Sequence, residues 1–116
     1  MHRLRGKLAF NAVFDEGIRE SRGPISILTR PNSLDHPRLG LSVPRRVGSA
    51  PKRNRIKRLL RESFRLLQHD LPRGRGYDLV IVVRPHPPLT LAEYQKLMSA
   101  MVVRSIQKWS ARERSS

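Results

Sequence analysis

The chain predicts an α/β sandwich of mixed type, in which helices alternate with strands around one sheet. Three observations lead there. Arg38–Val43 alternates, with Leu39, Leu41 and Val43 on one face and Arg38, Gly40 and Ser42 on the other, the period of a half-buried strand whose second face is small and polar. Leu79–Val83 is an uninterrupted aliphatic run bounded by Gly76 and Pro85, the pattern of a central strand covered on both faces. Between them Ser49-Ala50-Pro51 opens a long helix that runs to about Asp70, proline being tolerated in a first helical turn.

The remaining elements follow from periodicity and punctuation. Residues 7–17 read as a short helix, because Phe10, Val13 and Phe14 share an i, i+3, i+4 face and Gly17 suits a left-handed stop. Gly23-Pro24 breaks the chain, and Ile25–Arg30 reads as a strand. Pro31–Pro37 carries two prolines with Asn32, Ser33 and Asp35, so it is a turn. Leu71-Pro72-Arg73-Gly74 stops the long helix, and the prolines at 85, 87 and 88 stiffen a second turn. Thr90-Leu91-Ala92-Glu93 is a capping box. It opens a helix carrying Leu91, Tyr94, Leu97, Met98, Met101 and Trp109 to near position 109, with Ser110–Ser116 polar and frayed. Tyr94, Trp109 and the methionines read as packing residues. The expectation is one domain over residues 1–116 with an ordered core of about 7–109.

A length of 116 residues fits a single domain of about 100–200. Charge is the strongest signal in the composition: 24 Lys and Arg oppose 9 Asp and Glu, for a net +15. A chain that repels itself this strongly calls for a polyanionic partner, and nucleic acid is the obvious one. At 38% hydrophobic residues it still has material for a core, unlike a disordered basic tail. The absence of cysteine excludes disulfides, zinc thiolate sites and a cysteine nucleophile, and fits a reducing compartment. No apolar run reaches the ~18 residues of a membrane span, and the basic N-terminus leads into no signal-like apolar stretch. The expectation is a cytoplasmic protein with no membrane partner.

The charge is concentrated. Between Arg45 and Arg75 lie eleven Lys and Arg against only Glu62 and Asp70, so this segment carries +9 of the total. On a helical wheel Ile56, Leu59, Leu60, Ser63, Phe64, Leu66 and Leu67 fall in one arc, and Asn54, Lys57, Arg58, Arg61, Arg65 and His69 fall opposite. Lys52, Arg53 and Arg55 cluster in the first turn, where free backbone N–H groups favour phosphate oxygens. Cations there oppose the helix dipole, so local helix stability does not account for them. A solvated charged face is the plainer alternative, but almost no acids stand four residues away to pair with these bases. The helix reads as a polyanion-binding element.

Gly40–Phe64 reads GLSVPRRVGSAPKRNRIKRLLRESF, and this string closely resembles the core of the bacterial ribonuclease P protein subunit, the basic partner of a catalytic RNA. The family's RNR motif matches at Arg53-Asn54-Arg55 and continues through Ile56-Lys57-Arg58-Leu59-Leu60-Arg61-Glu62. The preceding strand and basic loop match at Gly40-Leu41-Ser42-Val43 and Arg45-Arg46-Val47-Gly48. Leu4-Arg5, Phe10, Val13, Phe14 and Gly17 resemble the family's N-terminal helix. The resemblance spans roughly residues 3–109 and weakens after Pro85. Pro44 and Pro51 depart from the usual pattern at element boundaries that tolerate proline. The fold it implies is an α+β two-layer sandwich, ribosomal-protein-S5-domain-2-like, with a four-stranded mixed sheet, three helices and a left-handed βαβ crossover. The physics of such connections would favour the opposite hand.

The resemblance further implies a protein subunit that binds the catalytic RNA and the 5′ leader of precursor tRNA. It promotes removal of the leader without carrying the chemistry, one protein per RNA. Arg45, Arg46, Lys52, Arg53, Asn54, Arg55, Lys57, Arg58, Arg61 and Arg65 would then face the catalytic RNA, where guanidinium forks suit phosphates. Phe10, Phe14, Arg38 and Ser42 would line a cleft for the single-stranded leader, aromatic faces contacting unpaired bases with little sequence preference. From periodicity alone both phenylalanines read as core, whereas the resemblance implies that one of them is partly exposed. No catalytic residue is expected. The nine acids and the four histidines at 2, 36, 69 and 86 form no spaced ligand set, and His69 reads as a helix C-terminal dipole partner. No cofactor or metal is then held by protein ligands alone, and Mg²⁺ is required by the RNA. The chief alternative is a ribosomal or other structural RNA-binding protein with no part in cleavage.

Overall fold

The computed structural model describes residues 2–71 and 75–115. The expected helix stop at Pro72-Arg73-Gly74 lies outside the described residues. In chain order come helix α1 (Lys7–Glu16), strands β1 (Ile18–Arg22), β2 (Ile25–Pro31) and β3 (Arg38–Ser42), helix α2 (Ala50–Leu67), strand β4 (Tyr77–Val83) and helix α3 (Leu91–Ser115). Single 3-10 turns at Arg45–Val47 and Gln68–Asp70 flank α2. The strands form one sheet in the order β1-β2-β4-β3. The β1–β2 and β2–β4 pairs are antiparallel, whereas β3 runs parallel to β4. Parallel neighbours need a crossover connection, and α2 supplies it.

Register assigns the faces. Thr29, Leu79 and Leu39 stand in one row, and Leu28, Val80 and Gly40 in the next, so the two rows point to opposite sides of the sheet. On the first side Ile25, Ile27, Leu39, Leu79, Ile81 and Val83 meet Ile56, Leu60, Phe64 and Leu67 of α2 and Tyr94, Met98, Met101 and Val102 of α3. On the second side Leu28 and Val80 meet Val13 of α1 and Leu4, with Phe10 and Val82 at the margin. Full burial of Leu60 and Phe64 is worth about 1.5–3 kcal/mol each. The two-faced reading of α2 holds except at Leu66, which is exposed.

Several local expectations are corrected. Strand β1 was not legible; it closes a hairpin with β2 through Gly23-Pro24, with Arg22 opposite Ile25 and Gly23 at φ +58°. A two-residue hairpin turn requires such a left-handed residue. Gly17 does not stop α1 by a left-handed turn, since its φ is −74°. Glycine is needed there because a Cβ would lie 2.4 Å from the Val13 carbonyl oxygen and 3.0 Å from that of Thr29. The third helix does not fray at Ser110 but continues to Ser115, where Glu113 pairs with Arg75 and Arg112 sits 5.1 Å over the Trp109 ring. The packed core also reaches back to Leu4, ahead of the expected boundary at residue 7.

Candidate nucleic-acid interface

Helix α2 begins where Ser49 accepts a hydrogen bond from the Lys52 amide at 3.4 Å, with Pro51 in the first turn. Its buried side seats on the sheet, and this fixes the direction of the opposite side. Asn54, Arg55 and Arg58 are exposed there, and Lys57 and Arg61 half-buried. Arg45 and Arg46 stand exposed on the preceding 3-10 turn, held by buried Val47. Two first-turn cations are partly engaged by backbone: Lys52 Nζ donates to the His86 carbonyl at 3.3 Å, and Arg53 Nε to that of Gly48 at 3.2 Å. Arg65 is held by Glu62, three residues before it, through two hydrogen bonds of 3.0 and 2.6 Å. Among the described residues it is the one cation of this set with a carboxylate partner. Arg73, within the same basic stretch, lies outside the described residues.

Arg61 differs from its neighbours. Burial pushes its guanidinium below the usual arginine range, and the nearby Arg3 guanidinium adds to that shift. Neither Arg3 nor Arg5 belongs to the basic string that marks α2, so sequence reading gave neither a place in the RNA-binding set. They border the same space as Arg61.

The four residues expected at the cleft lie on α1 and on the α1-facing side of the sheet, but in different states. Phe10 is half-buried with its ring over Gly40, where a Cβ would fall 2.5 Å from the ring's Cζ. Phe14, one turn later, is 42% exposed, a large apolar surface available to a ligand. Ser42 is half-buried beside Val82. Arg38 is tied down: its Nε and one Nη donate to the two Asp78 carboxylate oxygens at 2.8 and 2.7 Å. Asp78 is 3% exposed and also accepts from Asn32 at 2.8 Å. Arg38 is therefore half of an ion pair whose carboxylate is buried, and its charge is largely answered from within.

The histidines are dispersed. His2 and His36 stack at 3.8 Å, His86 bridges the Arg84 carbonyl and the Tyr94 hydroxyl, and His69 is exposed on the turn after α2. Tyr94, Met98 and Met101 are buried core residues, and Trp109 donates its indole N–H to Thr29. Among the described residues no three His, Asp or Glu side chains are placed to hold a metal ion, and no helix is long and apolar enough to cross a membrane.

A basic helix against a sheet, with an exposed phenylalanine on the helix across the sheet from it, has counterparts. The ribonuclease P family model matches residues 1–108. The chain is 51% identical over 83 residues to the ribonuclease P protein component of Haemophilus influenzae (strain PittGG), covering 71% of this chain and 67% of that one. It is 43% identical over 108 residues to that of Methylococcus capsulatus, covering 92% and 77%. The solved Staphylococcus aureus RNase P protein superposes with a TM-score of 0.77 at 26% identity, over 88% of this chain and 93% of that one. The Thermotoga maritima RNase P protein gives 0.73 at 31%, over 87% and 96%.

Proposed function

This chain belongs to the ribonuclease P protein family, whose members take part in tRNA processing with an RNA partner, and from that premise we propose that α2 docks on ribonuclease P RNA while the α1–sheet cleft takes the 5′ leader of precursor tRNA. Membership favours this over a ribosomal or other structural RNA-binding role. One observation carries the docking assignment: a basic helix face whose cations, Arg65 apart, have no carboxylate partner among the described residues. Such a face is electrostatically incomplete until a polyanion covers it, and releasing counterions from that polyanion supplies much of the affinity.

The division of labour follows from which groups are present. Arg45, Arg46, Arg53, Arg55, Arg58 and Arg61 present planar forks that hold phosphate oxygens in pairs. Lys52 and Lys57 add point charge, and Asn54 both donates and accepts. Phe14 offers a ring face to an unpaired base, and Phe10 with Ser42 forms the floor beside it. Binding both polyanions at once, one protein per RNA, offsets the repulsion between leader and catalytic RNA. Following the family resemblance, we assign Mg²⁺ and the hydrolytic chemistry to the RNA, and we place the complex in the cytoplasm.

The test is 5′-leader cleavage of a precursor tRNA at low Mg²⁺ by the protein alone, by a bacterial ribonuclease P RNA alone, and by the two together. Efficient cleavage by the mixture alone is the expected result. If the mixture is no faster than RNA alone while the protein still binds RNA, the assignment is overturned.

A further inference from the structure

Three guanidinium side chains from two distant parts of the chain border one pocket of about 210 Å³. Arg3 and Arg5 come from the N-terminal arm and Arg61 from α2, with Leu39–Leu41 of β3 as the floor. The volume is several times the ~30 Å³ share of one water in the liquid, enough for an oxyanion and part of its hydration.

The arm is held by backbone, not by charge. The Leu4 amide donates to the Leu39 carbonyl at 2.9 Å, and the Leu39 amide donates to the His2 carbonyl at 3.0 Å. Leu4 is 4% exposed and belongs to the small core under α1. In extended chain alternate residues share a side, so anchoring Leu4 inward sends Arg3 and Arg5 to the same side. Two cations are thereby fixed beside a third on α2, where Arg3 and Arg61 repel each other.

Nothing anionic answers them. Among the described residues Arg3, Arg5 and Arg61 make no ion pair, while Asp78 is taken by Arg38, Glu62 by Arg65 and Glu16 by Arg30. Arg61 is half-buried at this pocket with Arg3 and Arg5 exposed at its rim, and a bound anion relieves the repulsion between Arg3 and Arg61. Guanidinium forks from two directions match the several oxygens of a tetrahedral phosphate group better than a planar carboxylate.

We propose that Arg3, Arg5 and Arg61 form a discrete site for one phosphate group, and that an RNA backbone phosphate fills it when the protein docks on ribonuclease P RNA. The choice of RNA as the source rests on the functional reading above; the affinity of the pocket for a phosphate group does not. The occupied site ties the arm, β3 and α2 together through one ligand.

The full-length, isotope-labelled protein is titrated with inorganic phosphate at constant ionic strength and followed by NMR. The Nε–H signals of Arg3, Arg5 and Arg61 and the amides of Leu39–Leu41 are expected to move along one saturable curve. The Arg3→Gln/Arg5→Gln variant should lose that response, whereas Arg58→Gln, outside the pocket, should keep it. An unchanged response in the double variant, or none in the wild type, overturns the site. In parallel, affinity for ribonuclease P RNA is measured against salt, and the double variant should lower the log–log slope by about one. A lost phosphate response with an unchanged slope overturns the RNA assignment and leaves a site for free phosphate. A wild-type protein that binds no RNA while phosphate still moves the pocket signals refutes the functional reading, and RNA as the source with it.

Discussion

Replacing Gly40 with alanine puts a methyl carbon where the Phe10 ring now lies. The new Cβ would stand 2.5, 2.9 and 3.2 Å from Cζ, Cε1 and Cε2, against the ~3.5–4.0 Å at which carbon atoms attract. The ring must therefore retreat by about 1 Å. Its retreat is limited, since α1 is itself held on the sheet by fully buried Val13. Inserting a methyl into packed surroundings costs about 1–3 kcal/mol. Gly40 does not occupy the left-handed region, so alanine adopts its backbone freely and regains roughly 0.5–1 kcal/mol through a less flexible unfolded chain. The expected net loss is about 1–2 kcal/mol. Urea unfolding of wild type, Gly40→Ala, Phe10→Ala and the double variant measures it as a cycle. With the ring gone the alanine should be neutral or mildly stabilising, giving a coupling of about 1–3 kcal/mol. An equal penalty in both backgrounds, or none in the wild type, would refute a Phe10 ring seated on β3, and with it the floor of the cleft.

Asp78→Ala leaves the Arg38 guanidinium and the Asn32 amide without their buried acceptor. Removing one partner of a buried pair costs about 3–5 kcal/mol. With the Arg38 side chain 31% exposed, a loss of about 2–3 kcal/mol in urea unfolding is expected, since water screens part of the orphaned charge. A loss below about 1 kcal/mol would mean that the pair is not closed in solution. Phe14→Ala, at a ring 42% exposed, should cost less than the ~3–5 kcal/mol of a core phenylalanine while lowering the preference for precursor over mature tRNA in a binding assay. A core-sized stability loss with the preference unchanged would return Phe14 to a packing role.

Sequence pattern carried the elements whose surroundings are uniform. Strand β3 alternates because one side meets the main core and the other carries Gly40 under the Phe10 ring, and Leu79–Val83 of β4 is aliphatic because both sides are covered. The start of α2 was legible because Ser49 and Pro51 act locally. Strand β1 was hidden because its inward positions are Ile18 and Glu20, and a buried glutamate reads as a loop residue. Glu20 is tolerated because Lys108 meets it at 2.7 Å and Arg104 at 3.7 Å, from a helix more than eighty residues away. Separation in sequence likewise hid the Arg38–Asp78 pair and the Arg3–Arg61 proximity, so Arg38 was assigned to the leader cleft without its partner and Arg3 was given no site role. The last turns of α3 were equally opaque, their anchors being Arg75 for Glu113 and the Trp109 face for Arg112.

Strand order has a consequence for how this chain is made. β2 and β3 share no ladder; β4 lies between them and joins both, yet it is the last strand to be synthesised. While the ribosome is still upstream of Tyr77, the β1–β2 hairpin, β3 and α2 all exist as sequence, but the Leu79, Ile81 and Val83 part of the floor on which α2 packs does not. Pairing across such separations is slow because loop closure precedes the contacts that reward it. The sheet cannot join β2 to β3, nor α2 complete its packing, until β4 inserts between them. The most basic part of the protein thus completes its packing only with the last strand of the sheet to be synthesised.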